Sequence, residues 1–319
     1  MAEKVFVSRQ LPPQFLAMLE REVELEVWSG EGGPSAGQLS ESVAACSGLL
    51  CMLTDTIDHN LIAASPYLRV ISSLSVGVDH VDIDALNQRG IPLGHTPGVL
   101  VETTADLAFS LLLAAARRIP EAHNFVCDGR WQRGNRWAPD MFLGRDVSGA
   151  TLGIVGLGEI GQAVARRAAG FNMRVLSWTR SGRTMDGVQA VALKDLLSQA
   201  DFVSLHIALT EDTRNLINAS AIAMMKPGAV LINTARGGVL DECALAQALS
   251  EGYLFSAGLD VFETEPLVED SPLLSLPNVV LAPHIGSASE TTRNKMAEIA
   301  VENLLRGLRG EPMLHCANA

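Results

Sequence analysis

The chain lacks the marks of several protein classes. It has five cysteines, an odd number, and no CxxC pair. Neither a disulfide framework nor a metal centre is expected, and free thiols in a reducing compartment fit best. The start, MAEKVFVSRQLPP, has no signal-peptide pattern. The longest apolar stretch, LAFSLLLAAA (107–116), is too short to span a bilayer. No membrane association is expected, and the cytoplasm is the expected location. Basic residues are outnumbered, 24 to 36, giving a net charge of −12. A nucleic-acid binder needs a basic face, so that partner is not expected. Repeats and low-complexity segments are missing as well.

What is present is an alternation of short apolar runs and helix-like segments. In 319 residues two domains are the natural expectation. VFV (5–7), VELEVW (23–28), GLLCML (48–53), RVISSL (69–74) and IPLGH (91–95) read as strands. DIDALNQRG (82–90) reads as a helix closed by Gly90. TPG (96–98) marks a boundary. Helices are expected over about 100–117 and 120–129, then a long loop over 128–149. A second alternation starts at Thr151, with strands in TLGIV, MRVLSW, DFVSLHI, AVLINT, LFSAGLD and NVVLAP. An amphipathic helix over about 289–306 ends the pattern. Alternation of this kind implies parallel sheets with helices on their faces. If the second sheet is an insertion, the last helix could return to the first domain.

GLGEIG (156–161) follows a strand and opens a helix, the context a dinucleotide-binding turn requires. Gly156 allows the tight turn, Gly158 lets backbone approach a pyrophosphate, and Gly161 lets helix and strand pack closely. The usual ribose-binding acid is missing downstream. Thr179 takes its place, followed by Arg180, Ser181 and Arg183. An acid there would repel a 2′-phosphate, whereas guanidiniums and a hydroxyl would bind one. NADP(H) is therefore the expected cofactor, with NADH accepted weakly at most.

Ligands of open α/β sheets bind outside the carboxyl ends of the strands. Arg236, Asp260 and His284 fall at such ends, and Glu265 lies just beyond Asp260. An arginine can clamp a carboxylate, and a histidine can pass a proton to a carbonyl oxygen. A nearby glutamate favours the imidazolium. Taken singly, each could be a surface ion pair or a satisfied histidine. Together they suit reduction of a 2-oxo acid. In SLSVGVDH (73–80), the turn at Val76 and Gly77 could cradle a carboxylate through its N–H groups, or could be a plain turn.

At these residues the chain resembles the D-isomer-specific 2-hydroxyacid dehydrogenases. SVGVDHVDIDAL, VGLGEIGQAVARR, LINTARGGVLDECAL, AGLDVFETEP and PHIGSAS look like that family's blocks in the family's order. The likeness runs from about Leu49 to Pro312 and is strongest to glyoxylate/hydroxypyruvate reductases. It implies an α/β fold of two domains: a doubly wound Rossmann cofactor domain, 98–288, inserted in a flavodoxin-like substrate domain, 1–97 plus 289–319. It implies that Arg236 binds and polarises the substrate, and that Glu265 pairs with His284, the proton donor. Val76 and Gly77 would hold the carboxylate, Ser287 would line the pocket and Leu53 would sit above it. Asp260 and Gly286 would face the nicotinamide, with Thr104 near its ring. Glu159 and Ile160 would meet the pyrophosphate, and Ala208, Thr234 and Ala235 would line the cofactor cleft. The family's usual proline is replaced by Ala208. A homodimer is implied, built on the loop that carries Arg130, Trp131, Arg133, Arg136 and Trp137, with Trp137 reaching the neighbouring site. Hydroxypyruvate and glyoxylate are the substrates implied. A larger 2-oxo acid, or a corepressor-like binding protein of the same fold, stays open.

Overall fold

The computed structural model describes residues 3–132 and 137–318. Short apolar runs become parallel strands because helices cover both of their faces. The chain divides into two units, Met1–Leu100 with Ala288–Ala319, and Val101–Ser287.

In the first unit the strands are β1 (Lys4–Val7), β2 (Glu24–Val27), β3 (Gly48–Cys51), β4 (Val70–Ser73) and β5 (Leu93–Gly94). Their order is β2-β1-β3-β4-β5, all parallel, which is flavodoxin-like. Strands β3 and β4 are buried throughout, whereas edge strand β2 alternates. Helix Ile83–Arg89 starts at Asp82, whose side chain accepts the Ala85 N–H, and ends at left-handed Gly90 (φ 64°). The last helix, Glu290–Arg309, is capped by Ser289. Its Ala297, Ala300, Val301, Leu304 and Leu308 pack with Val5, Val7, Leu50 and Val70. It runs to Arg309 rather than about 306, since Leu308 adds a buried turn and Gly310 then stops it in the left-handed region (φ 73°). Beyond it the chain returns to β5, with an antiparallel bridge between Gly94 and Cys316.

The second unit contains β6 (Thr151–Val155), β7 (Arg174–Trp178), β8 (Val188–Ala190), β9 (Phe202–Leu205), β10 (Val230–Asn233), β11 (Ser256–Leu259) and β12 (Val279–Leu281). The order is β12-β11-β10-β9-β6-β7-β8, again parallel. This is the doubly wound order of a Rossmann sheet with a seventh strand, reversing direction between β6 and β9. Strand β8 escapes the sequence pattern. It is a three-residue edge strand, VQA, with little to bury. Helix Val101–Ala116 presents Ala105, Ala108 and Leu112 to Ile154, Val230 and Ile232. A second helix, Ile119–Cys127, follows. The described part of the segment after it holds no helix or strand before β6. Arg133 and Arg136 lie outside the described residues.

All five cysteines are free. Among the described residues no helix is long and apolar enough to cross a membrane.

The glycine turn shows why its residues are small. A Cβ on Gly161 would sit 2.1 Å from the Gly156 carbonyl oxygen, whereas one on Gly158 would meet nothing within 4 Å. Gly161→Ala should therefore cost about 1–3 kcal/mol through overpacking. Gly158→Ala, at φ −70°, should stay within about 0.5 kcal/mol of the parent. Urea denaturation of the two variants checks the contrast; equal midpoints would show that the turn relaxes.

Candidate active site

The carboxyl ends of β10, β11 and β12 bring the sequence candidates of the second unit together. Each is fixed by a different local device. After β10, fully buried Asn233 clamps the next turn: its side chain accepts the Ala235 N–H at 3.0 Å and donates to the Arg236 carbonyl at 2.9 Å. Gly237 then passes so close to Phe262 that a Cβ would lie 1.8 Å from that residue's carbonyl carbon. This holds Arg236 against the segment after β11, and its charge is felt at Glu265.

Asp260 ends β11 and is 1% exposed. One carboxylate oxygen accepts the Ile285 N–H at 2.7 Å and the other the Gly286 N–H at 2.8 Å. The Asp260 carbonyl accepts the His284 N–H at 2.8 Å. Burial pushes the carboxyl group upward, opposed by those two N–H groups and by His284. Thr104, from helix Val101–Ala116, donates to the Gly286 carbonyl at 3.1 Å. A Cβ on Gly286 would lie 3.2 Å from Asp260 Oδ2 and 3.3 Å from Thr104. Asp260 and Thr104 thus act first as fasteners of the 284–286 turn.

That turn carries His284 in the left-handed region, at φ 53°, strained for a residue with a Cβ. Its Nδ1 meets Glu265 Oε2 at 2.6 Å. The other Glu265 oxygen accepts the Phe262 N–H at 2.9 Å. Burial would raise the Glu265 pKa, but His284, the Phe262 N–H and the Arg236 charge outweigh it and hold it low. A carboxylate can only accept, so Nδ1 carries a proton and Nε2 is the nitrogen free to exchange one.

The glycine turn lies at the end of β6, in the same sheet. Helix Glu159–Ala169 begins there with Gly158 as its N-cap and no side-chain cap. Its first N–H groups and the space around Gly158 suit a phosphate. Ile160 is half-buried and Glu159 exposed. Thr234, 8% exposed, has a buried hydroxyl with no partner among the described residues. These features fit a dinucleotide. At the end of β7, the Thr179 hydroxyl lies 2.9 Å from Ser181 Oγ and accepts the Ser181 N–H at 3.0 Å, shaping the turn. Arg180, expected from sequence to meet a phosphate, pairs with Asp212 at 3.0 Å. Arg183 is exposed. Ala208 is exposed too, and its carbonyl accepts the Thr213 hydroxyl at 2.7 Å.

In the first unit Val76, Gly77 and Leu53 are half-buried turn residues. Ser287 is half-buried. Trp131 and Trp137 are 50% and 79% exposed, so they do not pin their loop by burial. Sequence reading passed over Asp212 and Asn233. Asn233 ends an apolar strand, and that position was the available signal; Asp212 lies seven residues past β9 and had none. A hollow of about 400 Å³, lined by Arg118, Phe255 and Asn278, lies at the opposite, amino-terminal edge of β11 and β12. It contains none of these residues. Among the described residues no cluster of three or more His, Cys, Asp or Glu could hold a metal.

The family model for the D-isomer specific 2-hydroxyacid dehydrogenase NAD binding domain matches residues 109–286. The chain belongs to the D-isomer-specific 2-hydroxyacid dehydrogenase family. It is 50% identical to the glyoxylate reductase of Korarchaeum cryptofilum, over 98% of this chain and 94% of that one. Its fold is similar to the TT0316 protein of Thermus thermophilus, with a TM-score of 0.93, 47% identity, and 98% and 99% of the chains covered. It is also similar to the NADPH-dependent glyoxylate/hydroxypyruvate reductase of Sinorhizobium meliloti, solved with NADP and malonate, with a TM-score of 0.88, 33% identity, and 99% and 97% covered. The reaction class of this dehydrogenase is reduction of a 2-oxo acid with a nicotinamide cofactor. The matched segment lies wholly inside the Val101–Ser287 unit.

The lowered Glu265 pKa has a consequence for stability. A carboxyl group held below its unfolded value stabilises the fold fully above that value, and the stabilisation is lost as pH falls through the folded one. The unfolded reference is 4.5. Between pH 6 and pH 3, the parent should therefore lose more stability than Glu265→Gln. Denaturant midpoints across that range measure the difference; parallel curves would show that Glu265 is not stabilised in its ionised form.

Proposed function

We propose that this dehydrogenase reduces small 2-oxo acids, glyoxylate and hydroxypyruvate, with NADPH as electron donor. The observation that carries the reading is the His284–Glu265 pair, 2.6 Å apart beside the Arg236 turn. Arg236 would grip the substrate carboxylate and polarise the 2-oxo group. Val76 and Gly77 would supply N–H groups to the same carboxylate, with Leu53 and Ser287 lining the substrate. When bound, the nicotinamide supplies the hydride to the carbonyl carbon. The developing alkoxide takes its proton from His284 Nε2, leaving a neutral imidazole whose Nδ1–H stays on Glu265. Proton and hydride together convert the carbonyl to a hydroxyl.

Gly156, Gly158, Glu159, Ile160 and Gly161 would hold the pyrophosphate through backbone. Thr104, Ala208, Thr234, Ala235, Asp260 and Gly286 would border the rest of the cofactor. Thr179, Arg180, Ser181 and Arg183 would take the 2′-phosphate, because Thr179 stands where the chain would usually carry the acid that reads the ribose hydroxyls. The Sinorhizobium relative is itself NADPH-dependent, which supports this preference. The active form is proposed as a homodimer that covers Trp137 and Trp131, whose exposure suits an interface.

His284→Ala should lower kcat with glyoxylate by about 10²–10⁴ while the protein stays folded. Near-parental turnover would remove His284 from the chemistry. Thr179→Asp combined with Arg180→Gln and Arg183→Gln should move the preference from NADPH toward NADH. Initial rates with both cofactors decide it, and an unchanged ratio would mean that another segment reads the phosphate.

A further inference from the structure

The turn after β4 is held by a set of side chains whose arrangement dictates where its N–H groups point. Three successive carbonyls are occupied. Ser75 O accepts the Thr96 N–H at 2.8 Å. Val76 O lies 3.1 Å from His95 Nδ1. Gly77 O accepts the Ser75 hydroxyl at 2.7 Å. In a trans peptide the C=O and the following N–H point in opposite directions. Fixing these three carbonyls therefore turns the N–H groups of Val76, Gly77 and Val78 the other way. No described residue accepts from any of the three. Successive unpaired N–H groups of this kind form an anion-binding concavity.

The protons in this network have only one consistent order. Val76 O can only accept, so His95 must carry its proton on Nδ1. Ser75 spends its proton on Gly77 O. The 2.7 Å contact between Ser73 and Ser75 then needs the Ser73 proton. The 3.0 Å contact between Ser73 and His80 needs a proton on His80 Nε2. The relay runs from His80 through Ser73 and Ser75 to Gly77 O, with Ser73 and Ser75 buried. His95 is itself clamped by the end of the chain. Its N–H donates to His315 O at 3.2 Å, and its carbonyl accepts from Asn303 at 3.0 Å. Asn303 is fully buried and also accepts the His315 N–H at 3.1 Å. The two histidine rings meet edge to face, 6.4 Å apart.

We infer that His95 is a positioning residue for substrate: its Nδ1–H orients the Val76–Gly77 peptide so that the turn's N–H groups converge on the substrate carboxylate. Ser75, relayed from His80, does the same for the next peptide. The inference rests on the proposed role of this turn in carboxylate binding. Loss of the His95 bond frees one peptide to rotate, weakening the grip on the carboxylate without touching the proton donor.

The experiment compares the parent with His95→Ala, His95→Asn and Val76→Pro. It measures KM and kcat for glyoxylate, KM for NADPH, and inhibition by oxamate, with thermal melts as a control on folding. His95→Ala should raise KM for glyoxylate and Ki for oxamate roughly three- to tenfold, the worth of one hydrogen bond. The kcat and the KM for NADPH should change little. His95→Asn, whose amide nitrogen can take the place of Nδ1, should restore most of the loss, which a merely structural defect would not. Unchanged KM and Ki in His95→Ala would overturn the inference, as would equal losses in the alanine and asparagine variants. Val76→Pro removes one of the N–H groups and tests the turn itself. If Ki is unchanged in Val76→Pro, the carboxylate lies elsewhere and the underlying reading fails. If Ki rises in Val76→Pro but not in His95→Ala, the turn is right and the role of His95 is wrong.

Discussion

The geometry of the candidate site in the second unit depends on one buried carboxylate. Asp260, 1% exposed, spends both oxygens on the N–H groups of Ile285 and Gly286. Burying a charge is costly unless hydrogen bonds replace water, and here two do. The return is geometric. The turn that follows β12 is pulled onto the end of β11, and His284 is forced into a left-handed conformation it would not choose alone. There its Nδ1 meets Glu265. Burial still raises the Asp260 pKa, so the fastening works against desolvation rather than free of it. An apolar residue of similar size could fill the volume but could not satisfy two adjacent N–H groups.

Glu265 and Asp260 illustrate how environment separates two acids close in sequence. Burial disfavours ionisation of both. At Asp260 burial dominates and the pKa rises. At Glu265 an imidazole, an N–H group and the Arg236 charge prevail and the pKa falls. Asp260 fastens a turn through two N–H groups, whereas Glu265 pairs with the His284 imidazole. Divergent environments of this kind mark acid–base sites.

Much of this was legible in the sequence, and the reason is repetition at two scales. Apolar runs at strand length, spaced by helices, announce parallel sheets. Polar residues that end those runs announce a ligand edge. Arg236, Asp260 and His284 could be placed at one edge before any coordinates, because a parallel sheet brings carboxyl ends together. What stayed hidden was whatever lacks such a pattern. Strand β8 is too short and too polar to signal itself. The fastening roles of Asp260, Thr104 and Asn233 require knowing which N–H groups a fold leaves unpaired. The partner of Arg180 comes from Asp212, 32 residues away in the chain, and no local rule joins them. The exposure of the tryptophans in the 128–149 loop has no local signal, since large apolar side chains serve both buried and exposed roles.

The pair between Arg180 and Asp212 also bears on the missing ribose acid. Asp212 gives Arg180 a partner, yet at 52% and 81% side-chain exposure the two are held only weakly, by about 0–1 kcal/mol. A phosphate makes shorter, stronger, bidentate contacts with a guanidinium than an exposed carboxylate does. On the proposed reading, Arg180 can exchange one anion for the other at small cost. Thr179 and Ser181 meanwhile keep the turn's backbone fixed through their own hydrogen bonds. A carboxylate at position 179 would act in the opposite sense, satisfying the arginines permanently and closing the site to phosphate. On that reading a weak external acid gives Arg180 a partner that a phosphate can displace, which an acid inside the turn could not do.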